Sequence, residues 1–216
     1  MVIILMQFLT ASAAIAQALD RQISVSAILN ASLSRINARE SDVKAWTFLA
    51  VEAAREQVAS QEQCCRTSSL AELLSQSPLL GIPVGIKDIF ATVDMPTAWG
   101  LPLYRDRYLA PEATVVTRLK AAGAIILGKT VTTELATAAA GPTRNPHNLA
   151  HTPGGSSSGS AAAVADGMVP VAIGSQTMVS ILRPAAYCGI FGFKPSFGQI
   201  SRQVVMPVSA DLDHVG

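Results

Sequence analysis

The stretch from residue 111 to residue 128 constrains this chain more than any other. Pro111 and Glu112 open an amphipathic helix whose Val115, Val116 and Leu119 face one way. Gly123 ends it, because glycine takes the left-handed conformation beyond a helix end at little cost. Ala124-Ile-Ile-Leu-Gly128 follows directly, an apolar run of strand length with no polar alternation. Helix, glycine stop and buried strand together make the unit of an α/β fold with a largely parallel sheet. The unit recurs in kind: residues 160–165 read as helix, Gly167 as the stop and residues 169–173 as strand. Residues 79–90 hold another apolar run, and its glycines suit a buried strand whose backbone is closely approached.

Helices are expected ahead of this region. One spans residues 10–19 with Thr10 as N-cap, and the next begins near Ser24 and carries Ile28, Leu29, Leu33 and Ile36 on one stripe. A third covers residues 51–63, and residues 67–76 read as polar surface with a short amphipathic stretch. The 216 residues, half of them hydrophobic, suffice for one sizeable core. Neither linker nor internal repeat divides them, so residues 1–216 are expected to form a single domain. The last residues, Asp213-His-Val-Gly216, carry no terminal helix or cap, which predicts a domain incomplete at its C-terminus.

Composition removes several classes of function. Sixteen basic and 15 acidic residues leave a net charge of +1, and the basic residues are scattered, so no electrostatic case exists for direct nucleic-acid binding. The three cysteines (Cys64, Cys65 and Cys188) form no disulfide framework. His147 and His151 are four residues apart but lie between Pro146 and Pro153, so they read as loop residues rather than metal ligands; His214 reads as part of a frayed end. Residues 1–9 resemble the apolar core of a signal peptide but lack a positive segment before it. No later stretch approaches the ~20 apolar residues of a membrane span. A cytoplasmic protein without membrane contact is the expectation.

The chemistry concentrates in two segments, Pro153-Gly-Gly-Ser156-Ser157-Ser158-Gly159-Ser160 and Gly174-Ser-Gln-Thr-Met-Val-Ser180-Ile-Leu-Arg-Pro184. The first opens a helix and gathers backbone N–H groups and hydroxyls at one point. It could be a plain flexible turn. A phosphate cradle needs a Gly-Lys-Ser/Thr after the loop, and that is absent. Acyl transfer by serine needs a base beside the hydroxyl. No histidine has a suitable context, and the Gly-x-Ser-x-Gly elbow is missing. Lys87 lies in an apolar strand, where desolvation lowers a lysine pKa, and Ser–Lys pairs are a known variant of the triad logic. A lysine at a strand end is equally consistent with a surface residue.

Gly81-Ile-Pro-Val-Gly-Ile-Lys87-Asp, Gly128-Lys-Thr, Pro153-Gly-Gly-Ser-Ser, Ser180-x-x-Arg-Pro-Ala and Cys188-Gly-Ile-Phe-Gly-Phe-Lys-Pro195 occur in this order. Together they resemble the amidase signature family, from about residue 10 to residue 216. The resemblance implies a mixed, largely parallel central β-sheet flanked by helices. It implies cleavage or transfer of amides through a Ser–cis-Ser–Lys set with an acyl-enzyme. Carried over by motif, Lys87 is the base, Ser156 the relay after a cis Gly155–Ser156 peptide, and Ser180 the nucleophile. Backbone N–H groups of Thr177, Met178, Val179 and Ser180 would form the oxyanion hole, with Ser157, Gln176 and Arg183 supporting; Arg183 is expected to hold the loop after Ser180. No metal or organic cofactor is implied. The partner implied is a small-molecule amide, with a homodimer left open. Two rivals remain: a non-catalytic remnant of the family, and the amidase subunit of a tRNA-dependent amidotransferase.

One departure from the family pattern carries an expectation of its own. Two small residues usually precede the nucleophile, and here they are Met178 and Val179. A β-branched residue is poorly suited to positive φ, so a Val179 held there would close the oxyanion hole or turn an N–H away.

Overall fold

A computed structural model describes residues 10–20 and 22–216. The apolar N-terminal segment, residues 1–9, lies outside the described residues. Helices α1 (Ala11–Leu19) and α2 (Val25–Val43) begin where sequence places them, with the hydroxyls of Thr10 and Ser24 accepting from the N–H groups of Ala13 and Ala27. Strand β1 (Trp46–Leu49) follows, then α3 (Val51–Thr67), which runs one turn past its expected end. The stretch expected to be surface holds α4 (Leu70–Gln76), closed by a reciprocal cap between Ser69 and Glu72.

Strand β2 (Pro83–Lys87) is buried at every position. Helix α5 (Thr114–Ala121) starts three residues later than Pro111 suggested, and Gly123 takes φ +86° at its end. Strand β3 (Ile125–Thr130), helix α6 (Ser158–Ala165) and strand β4 (Val171–Ile173) complete the two units. The sheet order is β1-β3-β2-β4. Strands β2, β3 and β4 are mutually parallel, and β1 runs antiparallel on the edge of β3. The sheet is therefore mixed and largely parallel.

Two apolar layers cover the sheet. Val84, Ile86 and Ile126 face one with Phe90 and Val116; Ile125 and Leu127 face the other with Leu29, Trp46, Ala162 and Met168. The glycine at position 128 marks a close backbone approach, because a Cβ there would sit 2.2 Å from the Phe48 carbonyl oxygen of β1. Any side chain at that position would break the β1–β3 pairing.

Beyond β4 the chain forms β5 (Ser175–Gln176) and α7 (Leu182–Tyr187), and it ends in β6 (His214–Val215). Strands β5 and β6 pair antiparallel, with Gln176 opposite His214. His214 is thus part of a two-stranded sheet and not of a frayed end; the pairing partner, remote in sequence, supplies the order. Among the described residues, no helix is long and apolar enough to cross a membrane.

Candidate active site

In open α/β sheets, ligands meet the protein beyond the C-terminal ends of parallel strands. Lys87 is the last residue of the central strand β2, opposite Thr130 at the end of β3. Its side chain is fully buried. The ammonium donates to Ser156 Oγ at 2.7 Å and to Ser175 Oγ at 2.8 Å. Burial pushes the Lys87 pKa down to about 7, since a charged ammonium loses its hydration there; the negative charge of Asp213 opposes this. Among the described residues, no carboxylate forms an ion pair with Lys87.

Ser156 stands just ahead of α6, where Gly154 takes φ +77° and the Gly155–Ser156 peptide is cis. Its neighbours fix that turn from several sides. The Ser156 carbonyl accepts from Thr133 N–H, and the Gly155 carbonyl accepts from Arg183 Nε and Nη2 at 3.0 and 2.7 Å. Arg183 therefore ties the start of α7 to the loop before Ser156. Ser157 then links two segments: its N–H donates to the Ser180 carbonyl, and its hydroxyl lies 3.2 Å from the Ser175 carbonyl oxygen. The Ser160 hydroxyl joins Thr130 Oγ1 and the Ile173 carbonyl, so the first turn of α6 is fastened to the ends of β3 and β4.

Ser180 lies in the turn ahead of α7, partly exposed. Backbone contact through Ser157 brings it beside the Ser156 segment. Among the described residues, no hydrogen bond links Ser156 Oγ to Ser180 Oγ. Gln176 Oε1 accepts from the N–H groups of Ile181 and Leu182, which anchors the chain just past Ser180. Among the described residues, nothing accepts a hydrogen bond from the N–H groups of Thr177, Met178, Val179 or Ser180.

Neither Met178 nor Val179 has positive φ. Both side chains point to solvent, 78% and 41% exposed. The strain expected of a β-branched residue in this turn is absent, because the turn does not use the left-handed region there. A cavity of about 460 Å³ opens beside Ser175, lined also by Ile89, Thr177, Met206 and Asp213. A second, of about 280 Å³, lies by Gly155, Arg183 and Tyr187.

Ser175 escaped the sequence reading. Its one signal is position: Gly174 and Ser175 leave β4 at the end where Lys87 leaves its parallel neighbour β2. His147 Nε2 meets the Cys188 carbonyl at 2.8 Å, and the His151 N–H bonds the Asn148 carbonyl, so both histidines are engaged within turns, and among the described residues neither is hydrogen-bonded to Lys87, Ser156 or Ser180.

The Amidase family model matches residues 27–216. This chain belongs to the amidase family. A glutamyl-tRNA(Gln) amidotransferase subunit from Anaeromyxobacter sp. (strain K) is 44% identical over 203 residues, covering 91% of this amidase chain and 40% of that protein. The peptide amidase of Stenotrophomonas maltophilia superposes with a TM-score of 0.87 at 33% identity, over 96% of this chain and 44% of that one. The corresponding glutamyl-tRNA(Gln) amidotransferase subunit from Thermotoga maritima gives 0.78 at 31% identity, over 98% and 43%. The amidase chain thus spans about 40% of the length of the curated relatives it matches.

Proposed function

We propose that this chain carries the nucleophile and base of an amide-cleaving enzyme, with Lys87, Ser156 and Ser180 acting in series. The observation that carries the reading is the 2.7 Å bond from the buried, desolvated Lys87 to Ser156. A lysine with a pKa near 7 is neutral in a large fraction of molecules at neutral pH, and a neutral amine accepts a proton. Ser180 Oγ attacks the amide carbonyl carbon while its proton passes to Ser156 Oγ and that of Ser156 to Lys87 Nζ. The N–H groups of residues 177–180, which have no acceptor among the described residues, receive the developing oxyanion; one such donor is worth ~3–4 kcal/mol. The C–N bond then breaks, the relay returns the proton to the leaving amine, and water cleaves the acyl-enzyme.

Relatives named as amidotransferase subunits favour a second reading, in which the same serine and lysine release ammonia for transfer within a larger assembly. Further subunits are then the partners to seek, alongside a homodimer. In both readings residues 1–216 supply one part of the complete amidase unit, and the bond cleaved is the C–N bond of a carboxamide.

The test is covalent labelling by a fluorophosphonate probe, with the site read by peptide mass spectrometry. Labelling at Ser180 that disappears in Ser180→Ala is expected. No labelling, or labelling indifferent to that substitution, overturns the assignment. Co-purification with further subunits would favour transfer over simple hydrolysis.

A further inference from the structure

The carboxylate of Asp213 is tied on both oxygens. Oδ1 accepts from the Thr177 hydroxyl, and Oδ2 accepts from the N–H groups of Val208 and Ser209 at 2.8 and 2.9 Å. Thr177 heads the run that ends at Ser180, and it immediately follows β5. Pairing of β5 with β6 sets Gln176 opposite His214, which brings Thr177 and Asp213 together across 36 residues of chain. Asp213 also lines the cavity that reaches Ser175, the second partner of Lys87.

We propose that Asp213 is a positioning residue: it pins Thr177, and so the 177–180 backbone, to the turn of residues 208–213, and it faces the Lys87 side of the site with a fixed negative charge. The proposal rests on the reading of Lys87, Ser156 and Ser180 given above. The Asp213 charge raises the Lys87 pKa against the effect of burial. The other charged groups nearby are engaged elsewhere. Arg202 donates to the Ala210 carbonyl and stacks on Phe197, and the His214 ring bonds the Leu212 carbonyl. Asp211 is exposed, and Asp88 is paired with Lys129.

Two functions of one side chain separate by substitution. Asp213→Asn keeps a hydrogen-bonding group of the same shape but removes the charge. Thr177→Val removes the hydroxyl that the carboxylate holds but keeps the charge. Lys87 is titrated by NMR of protein carrying ¹³C at the lysine ε-carbon, its signal assigned by loss in Lys87→Met. The pH dependence of probe labelling is followed in parallel. Asp213→Asn is expected to move the Lys87 midpoint, and the rising limb of labelling, to lower pH. Thr177→Val is expected to leave the midpoint in place and to lower the labelling plateau by roughly tenfold or more, toward the loss seen when an oxyanion donor is misplaced. An unchanged midpoint in Asp213→Asn overturns the electrostatic half, and an unchanged plateau in Thr177→Val overturns the clamp. If the parent chain does not label while Asp213→Asn still shifts the Lys87 titration, the catalytic reading fails and the coupling stands.

Discussion

Two lysines are buried on adjacent strands of the same sheet, and they are held in opposite ways. Lys129, on β3, forms an ion pair with Asp88 at 3.3 Å and donates to the carbonyls of Phe90 and Pro96 and the hydroxyls of Thr92 and Thr97. Lys87, on β2, meets two hydroxyls and, among the described residues, no paired carboxylate. Burial pushes Lys129 down to about 8, with Asp88 opposing, and pushes Lys87 down to about 7. At neutral pH the first is mostly charged and the second divided between its two forms. The contrast separates a cation used as a structural anchor from an amine prepared to take a proton. Acceptor chemistry makes that separation, since the two side chains are equally buried.

Exchanging each lysine for methionine breaks the comparison most sharply. Lys87→Met is expected to lower Ser180 labelling by ~10⁴-fold, the scale seen when a member of a triad is removed. It should change unfolding free energy by less than about 1 kcal/mol, because an apolar chain replaces a desolvated amine. Lys129→Met strands the Asp88 carboxylate in the interior and should cost about 3–5 kcal/mol of stability in denaturant titration. Labelling per folded molecule should stay within roughly tenfold of the parent. If the two variants trade these effects, the roles assigned to the lysines are reversed.

A finer test concerns the hydroxyls on Lys87. Ser175→Ala removes one hydrogen bond, worth ~0.5–1.5 kcal/mol, so labelling should fall by roughly threefold to tenfold. Ser156→Ala should do far more, because it cuts the proton route from Ser180 to Lys87. The smallest effect belongs to Val179→Gly. With no positive φ to relieve and a side chain in solvent, labelling should change by less than about threefold. A gain of ~10² would mean that Val179 does obstruct the oxyanion hole.

Much of this arrangement is legible in the amino-acid sequence, and the division follows the range of the interactions. Helix starts at Thr10 and Ser24 and the stop at Gly123 are local capping events, so a few neighbouring residues reveal them. Lys87 is ambiguous by itself, since a lysine at the end of an apolar strand also suits a surface position, and it is the match of several ordered motifs to the family that singles it out. Strand β1 is only four residues long and exists through pairing with β3, which lies far along the chain. Ser175 and Asp213 are common residue types in unremarkable contexts. Ser175 meets Lys87 across 88 residues, and Asp213 meets Thr177 through the β5–β6 pairing, which also turned His214 from an expected loose end into a strand residue. The Met178 and Val179 pair misled for a related reason: residue identity raises the question of φ, but the path of the turn answers it.

The pH dependence of probe labelling at Ser180 tests most directly whether Lys87 is the base. Because the base acts when neutral, the rate should rise as pH increases through the Lys87 pKa, with a midpoint near 7, and level off above it. The Lys87→Met variant should show neither the limb nor the plateau. A midpoint near the ordinary lysine value of 10.5, or a limb that survives Lys87→Met, would contradict the assignment.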